Sequence, residues 1–234
     1  MATAVQSEPL VTIPGGFYEE ASHSYFNESK VVRPSVTQIL DSVGLTDLSR
    51  VKPEILEHKR KLGDAVHYFC HLLARNPGKH WWEVMEDAPH PETEPYCMAF
   101  VDFWENAGFE IDVVEGKPQT EISGIHKSYG LEFGYTFDLR GKWQGFPVIA
   151  DIKCTYDEEP SWKWQTAAYE MTQPRPEGSP TYGRLVIHLK PDQTYKLVPF
   201  KDPQDVRVFA WALGLTYEKI KHGLPWRKES GNGR

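Results

Sequence analysis

The chain has 234 residues, 40% hydrophobic and 25% charged, the make-up of a globular chain with one large domain. No apolar run approaches the length of a membrane span, and the opening MATAVQSEPLVT lacks the basic and apolar regions of a secretory leader, so a cytoplasmic protein with no membrane partner is expected. The net charge of −7 argues against a broadly basic nucleic-acid-coating surface but leaves room for a local basic groove, with candidates at Lys59, Arg60 and Lys61 and at Lys127, Arg140, Lys142 and Lys163.

Residues 1–14 read as a flexible N-terminus and 226–234 as a disordered tail, leaving 15–225 as a single domain. That domain divides into a hairpin with helices at 15–108 and a core at 109–225. The stretch GGFYEEASHSYFNESKVV predicts a hairpin around a polar turn at Asn27–Ser29. PSVTQILDSVG predicts a short helix, with Pro34 in its first turn and Gly44 at its end. KPEILEHKRKLGDAVHYFCHLLAR is the clearest helix, because Ile55, Leu62, Val66, Phe69 and Leu73 recur at helical spacing and NPG stops it. Another helix is expected over Glu92–Asn106.

Four strand-like runs follow: FEIDVVEG, QTEISGI, GYTFDLRGKW and FPVIADIKC, the last two joined by a turn between Gly141 and Gly145. SWKWQTAAYEM reads as a helix, YGRLVIHLK and TYKLVPF as strands, and DPQDVRVFAWALGLTYEKIKHG as a closing helix with Asp202 at its cap. The order of elements predicts an α/β or α+β fold with a mixed central sheet.

The chemistry concentrates in the paired strands. Asp138 and Asp151 each close an apolar run on consecutive strands, so a hairpin brings two carboxylates together. They repel unless one is protonated or a cation lies between them, and a hard divalent ion with oxygen ligands resolves the conflict. Lys153, two residues after Asp151, faces the same way on a strand and can orient an attacking water or stabilise charge at phosphorus. Asp-x-Lys alone is a weak signal, equally at home in an ion-paired strand end.

The combination is more specific. GYTFD, VIADIKC and QTAAY, in that order and spacing, resemble the core of the PD-(D/E)XK nucleases, in particular the RecB-like and phage-type exonuclease branch. GDAVH on the long helix resembles the segment that carries a metal-ligating histidine in that branch, and HSYFNESKVVRPSVTQIL resembles the N-terminal segment of its phage members. The resemblance spans about residues 23–170. It departs from the family pattern at Phe137, where the family name has proline.

It implies a restriction-endonuclease-like fold and a divalent-metal-dependent nuclease of exonuclease type. The metal, one or two Mg2+ or Mn2+ ions, would be held by His67, Asp138, Asp151 and the Ile152 backbone carbonyl. Glu121 would serve as a further ligand or stand behind the ligands. Lys153 would act with Asp138 and Asp151 in catalysis. Gln165 and Tyr169, four apart on one helical face, would contact substrate or buttress the site, with core packing the competing role for Tyr169. Trp162 and Trp164 are candidates for stacking on a base, more so than Trp81 and Trp82.

The implied partner is single- or double-stranded DNA, with a phage or host recombination protein beside it, in a bacterial or phage-infected cell. Cys70, Cys97 and Cys154 form no C-x-x-C pair, so no iron–sulfur cluster is expected, and no Walker-type loop suggests ATP use. The alternative is a non-catalytic nucleic-acid-binding or scaffold protein on the same fold.

Overall fold

The computed structural model describes residues 10–20, 22–46, 51–85 and 89–226. They belong to two compact units. One lies within Met1–Thr46, Ser123–Thr136 and Phe209–Arg234, the other within Asp47–Ile122 and Phe137–Val208.

In the first unit, β1 (Val11–Ile13), β2 (Gly16–Glu19), β3 (Ser24–Asn27) and β4 (Val32–Arg33) form an antiparallel sheet in sequence order. The N-terminal segment expected to be flexible therefore contributes a strand. The single hairpin expected here is two, because a second turn lies between β2 and β3. Helix α1 (Val36–Ser42) begins two residues after Pro34, with Ser35, one of two flanking candidates, before it. Ser35 is its cap: the Gln38 N–H donates to Ser35 Oγ at 3.2 Å and the Ser35 N–H donates to Gln38 Oε1 at 2.9 Å. Gly134, the glycine of GYTFD, lies against the Tyr25 ring, which leaves no room for a Cβ.

The second unit holds α2 (Pro53–Arg75), the short α3 (Trp81–Val84), α4 (Glu94–Asn106), β5 (Phe109–Ile111) and the ribbon β6 (Val113–Val114) with β7 (Lys117–Pro118). Strands β8 (Thr120–Ser128) and β9 (Leu131–Trp143) run across the boundary between the units. Then come β10 (Phe146–Lys153), α5 (Trp162–Thr172), β11 (Gly183–Leu189), β12 (Tyr195–Phe200) and the start of α6 (Gln204–Lys221). The sheet order is β12-β11-β10-β9-β5, with β8 also paired to β9. Strands β10 and β11 are parallel, which requires the crossover that α5 supplies, while β9–β10 and β11–β12 are antiparallel. This is a mixed α/β arrangement.

Between β9 and β10 the turn residues Gln144 and Gly145 have φ of 52° and 77°, the left-handed pair that a two-residue hairpin needs. The core is built from the α2 stripe Leu62, Val66, Phe69, Cys70 and Leu73, from Phe100 and Phe103 of α4, and from Ile152 and Ile187 of the sheet. Cys97 is buried in it and Cys154 packs against it, so three thiols remote in sequence share one core.

A buried cation ties this unit together. Arg184 on β11 is 3% exposed. It pairs with Glu170 of α5 at 3.2 Å and Asp205 of α6 at 3.1 Å, and donates to the carbonyls of Lys163 at 2.9 Å and Asp202 at 2.7 Å. Removing one partner of a buried ion pair strands the others in low dielectric. Arg184→Ala is expected to cost about 3–5 kcal/mol of unfolding free energy. Arg184→Lys should recover only part of this, because an ammonium cannot reproduce the planar fork. Equilibrium denaturation measures both; a loss within 1 kcal/mol for the alanine variant would contradict the assignment.

Candidate metal centre

Helix α2 turns two histidines toward the sheet. His67 and His71 are four apart and share a face. His67 Nδ1 and His71 Nε2 each lie 2.9 Å from the same oxygen, Asp138 Oδ1. The three ligand-capable atoms are all within 4.8 Å of one another. Asp138 sits inside β9 rather than at its end, and the strand runs on to Trp143. Its other oxygen, Oδ2, accepts the Ile152 N–H at 2.6 Å.

The β9–β10 register pairs Leu139 with Ala150. One step further it sets Asp138 opposite Asp151. Lys153, on the same side of β10 as Asp151, brings Nζ to 2.6 Å from Asp151 Oδ2. This is a close ion pair at a buried carboxylate.

The two acids titrate in opposite directions. Burial pushes Asp138 up, but the adjoining imidazoles of His67 and His71 outweigh it and hold the carboxyl well below its usual range. Burial also pushes Asp151 up, and there it wins: with Lys153 opposing and Asp138 reinforcing, its pKa reaches about 6. For Lys153, burial favours the neutral amine, but the neighbouring Asp151 carboxylate more than compensates and raises its pKa.

An outer layer supports His71, which sequence reasoning missed. Its second nitrogen, Nδ1, is 3.2 Å from Glu121 Oε1, and Glu121 is in turn paired with Arg75. A carboxylate behind an imidazole fixes the ring and raises its basicity as a ligand. The structure thus places Glu121 on the far side of His71 from Asp138 Oδ1. Glu121 has φ of 48°, a left-handed conformation costly for a side-chain-bearing residue, at the start of β8. The available sequence signal for His71 was its spacing from His67, which is that of two ligands on one helical face.

The donor set fits a divalent ion. His67 Nδ1 and His71 Nε2, each 2.9 Å from Asp138 Oδ1, have the close spacing that neighbouring ligands of one ion require. The buried Asp151 carboxylate, ion-paired with Lys153, adds a further potential ligand. Two imidazoles with carboxylate suit Mn2+ better than Mg2+.

The remaining expected residues make other contacts. Gln165 and Tyr169 are buried, and the Gln165 amide donates to the Tyr169 hydroxyl at 2.7 Å. The Tyr169 ring also packs 5.7 Å from that of Phe137. Trp162 is 2% exposed, edge-on to His188, so it is enclosed in the core and offers no surface for a base. Trp164 is half-buried, with the Lys163 ammonium 4.8 Å over its ring. Ile152 meets the site through its N–H. Arg140 is taken up by Asp112, Gln119 and Gln173.

No helix among the described residues is long and apolar enough to cross a membrane. No protein-family model matches the chain and no curated protein matches it. Among solved structures, the chain is similar to a candidate exonuclease of Eubacterium rectale, with TM-score 0.35, 11% identity and coverage of 49% of this chain and 50% of that one. It thus spans half the length of that relative. It is also similar to SSO0001, with TM-score 0.36, 12% identity and coverage of 83% of this chain and 86% of that one. Likenesses this loose assign neither a family nor an activity.

Proposed function

We propose that the chain is a divalent-metal-dependent nuclease that hydrolyses DNA phosphodiester bonds, of the exonuclease type that its motifs resemble, on a restriction-endonuclease-like sheet. The observation that supports this most is the convergence of His67, His71 and Asp138 beside the Asp151–Lys153 pair.

His67, His71, Asp138 and Asp151 would hold the ion. When bound, the ion supplies charge neutralisation at phosphorus and activation of water. Asp138 is kept ionised by its imidazole neighbours and so is ready to bind a cation at neutral pH. Asp151, with its pKa near 6, is ionised above that pH only at the cost of burying charge, which a cation relieves. Lys153 holds its proton and is positioned beside Asp151, where its ammonium can orient the attacking oxygen and stabilise negative charge as it develops. Glu121 and Arg75 fix the His71 ring. Gln165 and Tyr169 brace α5 from within.

Linear DNA incubated with Mn2+, with Mg2+ and with EDTA tests the reading. Cleavage is expected with Mn2+ and absent in EDTA. DNA binding without cleavage under any ion would favour a non-catalytic binding protein. Calorimetry separately tests the donor set: His71→Gln should weaken Mn2+ binding at least about tenfold, and Glu121→Gln by about tenfold, through loss of ring orientation. Unchanged Mn2+ affinity in His71→Gln would remove His71 from the ligands.

A further inference from the structure

Lys153 is the last residue of β10, and at that point the ladder flanks the strand on one side only. Pairing with β9 runs as far as Ala150–Leu139, whereas pairing with β11 continues to Lys153–His188. Across β11–β12 the register then sets His188 opposite Lys196. Residues opposite one another in a sheet project from the same face, so Lys153, His188 and Lys196 form one row across three strands.

The segment after Lys153 is laid along that row. His188 Nε2 lies 2.7 Å from the Thr155 carbonyl oxygen, and further out Lys196 pairs with Glu158. Between them Thr155 Oγ1 donates to the Asp157 carbonyl at 2.8 Å. The Lys196 pair is exposed, and such pairs contribute little. His188 is 1% exposed, with Trp162 of α5 edge-on at 5.0 Å. A carbonyl only accepts, so Nε2 carries the proton. The other ring nitrogen, Nδ1, is buried and has no hydrogen-bond partner among the described residues. An imidazole is a costly occupant of such a place, because an aliphatic side chain would fill it without burying an unsatisfied nitrogen. What the histidine adds is one hydrogen bond, to the backbone two residues beyond Lys153.

Resting on the nuclease reading, we propose that His188 is a positioning residue for Lys153. By holding the Thr155 carbonyl it fixes the direction in which the backbone leaves β10, and with it the point from which the Lys153 side chain starts. A lysine ammonium rides on a flexible four-carbon stem, so its aim is only as definite as the backbone beneath it. His188 is not one of the ligand-capable residues grouped at the metal centre. It therefore acts on the rate through Lys153 and leaves binding of the ion unchanged. A reacting group misplaced by about 1 Å costs on the order of a hundredfold in rate, which sets the upper end of the expected effect.

The test is single-turnover cleavage of saturating linear DNA in Mn2+ by the full-length protein, beside calorimetric Mn2+ titration. His188→Leu, which keeps most of the volume and loses the donor, should cleave about ten- to a hundredfold more slowly at the parent's Mn2+ affinity. His188→Gln, whose amide reaches as far as Nε2, should stay within about threefold of the parent rate. His188→Asn, one bond shorter, should be as slow as His188→Leu, and it takes that variant's place if leucine prevents folding. The deciding comparison is made in Lys153→Ala. Adding His188→Leu there should change the residual rate by less than about twofold, because the lysine through which His188 acts has gone. If His188→Leu slows Lys153→Ala by the same factor as the parent, if Mn2+ affinity falls with the rate, or if His188→Gln is as slow as His188→Leu, the assignment of His188 is overturned while the nuclease reading stands. If the parent cleaves no DNA under any ion, the reading itself falls and this inference with it.

Discussion

Lys153→Ala is expected to cleave DNA about two to four powers of ten more slowly than the parent, the usual contribution of a positioned electrostatic or proton-transfer group. Protonated, the lysine has no lone pair for an ion, so Mn2+ and DNA binding should survive. The geometry adds one condition. Lys153 is the counter-charge 2.6 Å from Asp151, whose pKa is already about 6. Without it Asp151 takes up a proton more readily and metal affinity falls at neutral pH for an indirect reason. The comparison is therefore made over a pH series rising above neutrality, so that protonation of Asp151 is separated from loss of the ammonium itself. Lys153→Arg should rescue poorly, since a guanidinium is larger and does not release its proton. Single-turnover cleavage beside metal and DNA titrations separates the outcomes. Equal losses of binding and rate would make Lys153 a phosphate anchor, and no loss of either would end the nuclease reading.

The two acids should part company when each is replaced by its amide. On the proposed reading, both Asp138→Asn and Asp151→Asn are expected to abolish cleavage, because each would remove an anionic ligand. Their effects on the stability of chelator-treated protein should have opposite signs. Asp138 is held below the usual carboxylate range by His67 and His71, so its ionised form stabilises the fold above that range and the contribution is lost as pH falls. Asp138→Asn should cost about 3–5 kcal/mol at neutral pH, the penalty for breaking a buried, charge-assisted pair.

Asp151 has its pKa raised from 3.8 to about 6. The folded protein binds the proton more tightly than the unfolded chain, so stability from this group is present below about pH 4 and lost as pH rises to about 6. Asp151→Asn removes the need to bury that charge and should stabilise the metal-free protein by about 1–3 kcal/mol at pH 8, with no gain near pH 4. Denaturant midpoints at the two pH values decide it. A destabilised Asp151→Asn at pH 8 would mean that the Lys153 pair outweighs burial.

Much of this architecture is written locally. The period of Leu62, Val66, Phe69 and Leu73 specifies α2, and Gln144–Gly145 specifies the β9–β10 hairpin. With the hairpin come Asp138, Asp151 and Lys153 as neighbours, because a two-residue turn fixes the register. The rest depends on docking. His71 is distinguished from any core histidine only once α2 lies over β9. Glu121 reaches it through a left-handed backbone that no propensity announces. Gln165 and Tyr169 have the spacing of a surface pair, but α5 is covered on that side, so they bond to each other within the core. Trp162 looked like a platform at the mouth of the site because sequence shows proximity to Lys153 but not which way α5 faces. Either Arg33 or Ser35 can flank the start of α1 on sequence alone, and the Ser35–Gln38 exchange selects Ser35.

The turn at Gln144–Gly145 also has a consequence for the order in which the protein folds. Hairpins close in about 1–10 μs, and Asp138 and the Ile152 N–H that it binds are only 14 positions apart. The contact between His67 and Asp138 spans 71 positions and must wait for slower long-range closure. A nascent chain therefore brings its two carboxylates together well before the imidazoles arrive, a like-charge encounter that would slow nucleation. Lys153 travels with them on the same hairpin. The Lys153–Asp151 ion pair is therefore as local in sequence as the carboxylate encounter that it offsets.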